Sequence, residues 1–348
     1  MPSGKVQTVL GPVDPSTLGP TLTHEHLLLD HSSILALPAE ASQLFHALGP
    51  ITPENMPWHR RNQYGSLETR RFTDEEMAIS EAMRFKIAGG GTICDVTPVG
   101  IGRDPLGLAR ISRATGLNIV MGAGYYREGT HPKGMDDLTE ADITEQLVGE
   151  VRDGVGDTGV RPGLFGELAS RWPISANEHK VLRAAAVAQA ETGTPILIHP
   201  GSEDEHAPHR ILDVLAESGG DVTKTIMGHL DRTIFKYSVL EELAQTGCHL
   251  EYDVFGTDSN YYPVGSDIDM PSDAQRLDFI ERLIADGYGD KVVVAHDICT
   301  KDRTAKHGGH GLDHILAAVV PRMRARGWSD ADVDAILIDN PARALTSA

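Results

Sequence analysis

Short β-rich runs alternate with longer helical segments along most of the chain, and nothing else in the sequence constrains the fold as strongly. Strands are predicted at 21–23, 92–97, 118–123, 163–168, 195–199, 222–228, 249–254 and 291–295, with helices between them at 73–89, 104–115, 139–154, 175–192, 205–218, 233–246 and 271–287. A helix between successive strands supplies the crossover that parallel pairing requires, so the strands form a parallel sheet. Closed on itself, that sheet is an α/β fold of the (β/α)8 TIM barrel type; the alternative, a doubly wound sheet, leaves open edges. Thr73 and Ser175 each precede a glutamate by three residues, a capping-box spacing, while Gly89, Gly193, Gly219, Gly247 and Gly287 mark helix stops.

The stretch K-V-Q-T-V-L before Gly11-Pro12 predicts an N-terminal strand extension and turn. C-terminal helices follow at 311–326 and 330–338, the last ended by Asn340-Pro341. A proline-rich insertion at 37–64 reads as a long loop with one helical turn, placed to serve as a pocket lid or a partner surface. No linker or low-complexity stretch divides the chain, so 1–348 reads as one domain.

Lys and Arg number 31 against 50 Asp and Glu, a net charge of −19 that opposes binding to nucleic acid or to an anionic membrane. No run approaches the roughly 18 apolar residues of a membrane-spanning helix, and the N-terminus lacks the apolar core of a secretory signal. Cys94, Cys248 and Cys299 form no close-spaced pair, which favours a reducing cytoplasm. A homodimer is compatible with all of this. The A-G-G-G-T stretch at 88–92 lacks the spacing of a dinucleotide fingerprint or a P-loop, so no organic cofactor is expected.

A parallel barrel presents its ligands at the C-terminal ends of its strands, so position matters more than residue type. Five of the eight predicted strands carry a histidine or a carboxylate there: His24 and His26, then Glu167, His199, His229 and Asp297. In the H-E-H triplet the first and third side chains share one face of an extended strand, with Glu25 pointing the other way. Glu167 and Asp297 lie in apolar contexts, G-L-F-G-E-L and V-V-V-A-H-D, where a carboxylate needs a cation or strong donors. Four imidazoles and two carboxylates suit two divalent ions about 3.5–4 Å apart better than one structural zinc, and such a pair needs a bridging oxygen ligand. Asp95, Asp231, Glu251, Asp253 and His296 are candidates for supporting those ligands, whereas His307, His310 and His314 read as loop or pocket wall.

The ordered set H-x-H, strand-four carboxylate, H, H and D resembles the phosphotriesterase-like branch of the amidohydrolase superfamily, and within it the phosphotriesterase-related subgroup. The segments T-L-T-H-E-H at Thr21, H-L-D-R-T-I at His229, L-E-Y-D-V-F-G-T at Leu250, D-I-D-M-P at Asp267 and V-A-H-D-I with the later G-G-H-G carry that likeness. The resemblance implies a binuclear centre, usually zinc, with manganese or cobalt as alternatives. His24, His26 and Asp297 would bind the more buried ion and His199 and His229 the more exposed one. Organophosphate-degrading members bridge the ions with a carboxylated lysine. Glu167 stands at that position here, which implies an ordinary carboxylate bridge and a weak phosphotriesterase. The expected activity is metal-dependent hydrolysis of a small anionic acyl amide, of the N-acetyltaurine or N-acyl amino acid type, with a lactonase or phosphorylated-sugar lactonase as the alternative. Asp297 would carry the proton to the leaving group. Tyr125, Tyr126, Arg232, Lys301 and Arg303 lie near the expected loops, and the cationic side chains among them can hold a substrate anion.

Overall fold

The computed structural model describes residues 3–257 and 268–348; Asp267, the first residue of the D-I-D-M-P segment, lies outside them. An antiparallel hairpin opens the chain, β1 (Val6–Thr8) against β2 (Gly11–Val13). The first barrel strand, β3 (Thr21–Glu25), is followed by a small antiparallel pair, β4 (Leu29–Asp30) with β5 (Arg71–Phe72). The remaining barrel strands are β6 (Thr92–Asp95), β7 (Asn118–Ala123), β8 (Leu164–Ala169), β9 (Ile196–His199), β10 (Thr225–Met227), β11 (His249–Tyr252) and β12 (Val292–Val294). They run β3-β6-β7-β8-β9-β10-β11-β12, every neighbouring pair parallel. The seam between β12 and β3 is closed by the Thr23 hydroxyl on Val294 O (3.4 Å) and by the Asp297 amide on His24 O (3.1 Å). This is the expected TIM barrel.

Strand alternation sorts the core into two parts. Cys94, Val120, Leu164, Leu197, Ile226 and Val293 fill the barrel interior and are capped by Val6 of the hairpin and Leu345 of the last helix. Their strand neighbours, such as Ile93, Ile119, Phe165 and Ile196, pack outward against the helices. The barrel therefore has an apolar floor, and polar side chains concentrate at the opposite, C-terminal end of the strands.

Several boundaries differ from expectation for local reasons. Asp74, not Thr73, caps the helix Glu75–Ile87, accepting from the amides of Glu76 and Met77, whereas the Ser175 capping box forms as read. Asp221 caps a 3-10 turn at Val222–Lys224, so β10 begins three residues late. The 233–246 segment is two helices, Leu230–Thr233 and Tyr237–Gln245. Asn340-Pro341 does not end the C-terminal helix: a π-turn at Ala335–Asp339 widens the backbone just before the proline, and the helix continues as Asn340–Leu345. The wider turn spares the pyrrolidine ring its clash with the preceding carbonyls. The insertion holds two helices, Ala41–Leu48 and Met56–Arg61, where a single turn was expected. The β4–β5 pair fastens both of its ends to the barrel rim, with the Asp30 amide on Ile101 O (2.8 Å).

β7 and β8 approach so closely that a Cβ on Gly122 would lie 1.9 Å from Gly166 O, one residue before Glu167. Gly122→Ala is therefore expected to destabilise the fold by about 1–3 kcal/mol and to reduce the content of tightly bound divalent metal. Gly129→Ala, which meets nothing within 4 Å, should change neither. Thermal unfolding and elemental analysis of both variants check this.

Candidate metal centre

The residues predicted from strand ends meet in one place. β3 delivers His24, with His26 just beyond it; β8 delivers Glu167 and β9 His199; His229 and Asp297 follow β10 and β12. The ladder registers of β3 with β6 and of β8 with β9 both shift, between Leu22 and Glu25 and between Phe165 and Leu168. Such irregularities re-aim side chains, and here they flank His24 and Glu167. His229 and Asp297 adopt left-handed backbone angles, φ 57° and 48°, unusual for residues with a Cβ and frequent where function holds a side chain in place.

Glu167 lies at the centre. Its Oε2 is 2.6 Å from His199 Nδ1, 3.3 Å from His24 Nε2 and 3.7 Å from His229 Nε2, while Oε1 is 3.3 Å from His26 Nε2. His229 Nε2 and His199 Nδ1 are 2.7 Å apart, and Asp297 Oδ1 is 3.2 Å from His26 Nε2. Two sets of donor atoms close enough to hold an ion result, His24–His26–Glu167 and Glu167–His199–His229, and they share the carboxylate.

The opposite ring nitrogens are held from behind. Glu251 Oε2 is 3.0 Å from His24 Nδ1, Thr97 Oγ1 2.9 Å from His26 Nδ1, Asp253 Oδ1 2.8 Å from His229 Nδ1 and Arg232 Nη2 3.1 Å from His199 Nε2. Asp253 also faces His24 Nδ1 at 3.2 Å, making a third possible ligand group, His24–His229–Asp253. We assign Asp253 to orientation, since both rings turn their Nε2 atoms toward Glu167. Glu25 points away, as the alternation requires, and accepts from the His296 amide (2.8 Å), the Ile298 amide (3.1 Å) and His296 Nδ1 (2.7 Å). It thereby fixes the loop that carries Asp297. Asp95 likewise accepts from the amides of Leu27 (2.7 Å) and Thr97 (3.2 Å).

The donor set fits divalent ions. His24 Nε2 and Glu167 Oε1 are buried without a hydrogen-bond partner among the described residues, and two imidazole nitrogens facing each other at 2.7 Å can share only one proton. Imidazole nitrogens with carboxylate oxygens are the ligand chemistry of zinc and its neighbours. The electrostatics are steep. Burial opposes charge on His26, yet Asp297 and Glu167 outweigh it and push its pKa up to about 9. Burial, then the charge of His229, pushes His199 down to about 3. Burial would raise the Asp297 carboxyl, but its His26 hydrogen bond and the charges of His229, His24 and His26 hold it below the ordinary value.

Beside Glu167, His199 and Asp297 opens a small cavity whose wall includes Tyr126, Arg232 and Arg303, three of the residues expected to meet substrate. Two others are not brought there. Tyr125 donates its hydroxyl to Gln146 Oε1 (2.6 Å), and Lys301 pairs with Glu68 (2.5 Å). Asp231 pairs with Arg276 (2.7 Å) and not with the adjacent Arg232. His314 pairs with Asp273, and His310 walls a neighbouring cavity. The sequence reading missed His31, Tyr64 and Arg70 on the active cavity. They lie in or beside the insertion, outside the strand-helix alternation that served to find the rest.

Comparison with known proteins follows the same lines. The phosphotriesterase family profile matches residues 4–345. The chain is similar to the N-acetyltaurine hydrolases of Tetraodon nigroviridis, 45% identical over 99% of this chain and 98% of that one, and of Homo sapiens, 44% identical with the same coverage. Its fold is similar to that of a resiniferatoxin-binding protein from Rhodobacter sphaeroides, with TM-score 0.94, 35% identity and coverage of 98% and 95%. A lactonase from Listeria monocytogenes gives TM-score 0.79 at 25% identity, covering 99% of both chains.

Asp253→Asn removes the carboxylate behind His229 while nearly keeping its shape. Loss of such an outer partner is expected to weaken divalent-ion affinity by about 10–100-fold, measured by chelator competition, with unfolding followed in parallel to show that the fold persists.

Proposed function

The chain belongs to the phosphotriesterase family, and on that premise we propose that this hydrolase cleaves a small anionic acyl amide, of the N-acetyltaurine or N-acyl amino acid type, at two divalent ions. The observation that carries the proposal is the single carboxylate, Glu167, shared by two sets of imidazole ligands. The full-length likeness to N-acetyltaurine hydrolases supports the substrate class. His24, His26 and Asp297 would hold the more buried ion, His199 and His229 the more exposed one, and Glu167 both. Zinc suits this donor set best, with manganese or cobalt as alternatives. The buried thiols of Cys94, Cys248 and Cys299, all unpaired, support a cytoplasmic setting, and we take the chain to work as one domain without an organic cofactor. Among the described residues no helix is long and apolar enough to cross a membrane.

Bound ions would supply a nucleophile from water near neutral pH and polarise the acyl carbonyl. The chain's own residues do the rest. Arg232 and Arg303, on the cavity wall, attract the substrate's anionic end and set its orientation, which places the acyl carbon near Glu167 and Asp297. Asp297, beside His26 at the mouth of the cavity, accepts the proton released as water adds to the carbonyl carbon. It then delivers that proton to the amide nitrogen as the C–N bond breaks, giving a carboxylic acid and an amine. An amide nitrogen leaves poorly without a proton, so this transfer is central to the reaction. Glu25, through His296 and Ile298, keeps the Asp297 loop in register. Lactone hydrolysis is the second reading, favoured by the likeness to the Listeria lactonase.

Metal-replete protein is expected to contain two divalent ions per chain, and Glu167→Ala to lose tight binding of both, by elemental analysis. Asp297→Asn should lower turnover of N-acetyltaurine by at least about 100-fold, with metal content measured alongside. Near-wild-type turnover at full occupancy would remove the proposed proton transfer. A hydrolysis screen of N-acetyltaurine, N-acyl amino acids, plain and phosphorylated lactones and paraoxon should rank the acyl amides first by kcat/KM. A lactone in first place would establish the second reading.

A further inference from the structure

Two buried arginines of this chain are treated in opposite ways. Arg276 is satisfied by Asp231 Oδ2 (2.7 Å), Asp273 Oδ1 (2.9 Å) and Thr257 O (2.8 Å), as a structural guanidinium should be. Arg70 is 1% exposed, yet its Nε and Nη1 have no hydrogen-bond partner among the described residues. A buried guanidinium with unpaired donors is strongly disfavoured unless something completes its hydrogen bonds, so a site of this kind calls for a ligand.

What surrounds Arg70 points to the same ligand. Its guanidinium lies 4.3 Å over the ring of Tyr64, which fixes the plane of the fork. The His31 amide donates to Arg70 O (2.9 Å), extending the β4–β5 ladder by one pair. Among the described residues neither nitrogen of His31, which is 2% exposed, has a hydrogen-bond partner, and the buried Arg303 Nε has none either. All four side chains line the cavity that also contains Glu167 and Asp297. Unsatisfied nitrogens from three residues thus border one space beside the candidate metal centre.

We propose that Arg70, with His31 beside it, is the seat of the substrate's terminal oxyanion. The guanidinium offers paired donors to two oxygens of a sulfonate or carboxylate, and His31 offers a further N–H. Arg232 and Arg303 draw the anion in, and Arg70 fixes where it stops, which sets the length of chain between the anion and the scissile amide. The inference rests on the reading of the reaction as hydrolysis of an anionic acyl amide, but the anion seat itself can be tested without turnover.

The test uses metal-loaded, full-length protein. Binding of ethanesulfonate, measured by calorimetry, is expected to weaken at least tenfold in Arg70→Met at unchanged metal content; equal binding to wild type and variant overturns the proposal. In kinetics, the neutral analogue is N-acetyl-2-(methylsulfonyl)ethylamine, with the same amide and spacer. Arg70→Met should lose at least tenfold more kcat/KM on N-acetyltaurine or on N-acetyl-β-alanine than on this sulfone, and the anion that suffers more identifies the headgroup. Equal losses on all three overturn the seat while leaving the amidase reading in place. If wild type hydrolyses none of them, that reading fails and the ethanesulfonate result alone decides the seat. Should Arg70→Met not fold, Arg70→Lys, which keeps the charge and loses the fork, replaces it: a tenfold loss confined to the anions supports the proposal, and uniform behaviour overturns it.

Discussion

One buried carboxylate, Glu167, imposes the arrangement of everything around it. An anion so deep in a barrel is stable only when cations or hydrogen-bond donors converge on it, and the strand ends supply nitrogen atoms from His24, His26, His199 and His229 within 3.7 Å, a set that suits divalent ions. Each ring is then gripped on its far side by Glu251, Thr97, Arg232 or Asp253. The site is therefore built in layers: carboxylate at the centre, imidazoles around it, and mostly acidic or polar partners outside them. Removing any layer leaves the next one buried without its counterpart.

The barrel makes this arrangement possible by separating two environments along its axis. Toward the strand starts, Leu164, Leu197 and Ile226 fill the interior and exclude water. Toward the strand ends the same strands present Glu167 and His199, with His229 just past β10. The apolar floor gives the ligands a rigid base and a low dielectric, which strengthens every electrostatic contact above it.

How much of this was legible in the sequence depends on what fixes each residue. The barrel and its six candidate ligands follow from strand-helix alternation together with the rule that strand ends carry function, because both are local patterns with a global consequence. Tyr125 and Tyr126 show where such reading stops: they are neighbours, yet one donates to Gln146 and the other walls the cavity, a choice made by tertiary packing. Lys301 and Arg303 divide in the same way across a single 3-10 turn, one drawn off by Glu68 and the other turned back toward Asp297. Arg70 and His31 left no periodic signal, since their meeting depends on a two-residue ladder between segments separated by the whole insertion. The helix through Pro341 eluded sequence reading because a π-turn offsets the proline's usual penalty.

That two-residue ladder, β4 with β5, has a wider consequence. It staples both ends of a long excursion to the rim, and between the staples the excursion meets the barrel through the loop after Asp297, where Gln63 donates to Asp302 and the Lys301 amide to Thr69 O. Lengthening such a stapled loop costs little closure entropy, about 0.6 kcal/mol for each doubling. A lineage built on this barrel can therefore lengthen or shorten the excursion that carries His31, Tyr64 and Arg70 toward the cavity so long as its anchors on the loop after Asp297 are kept.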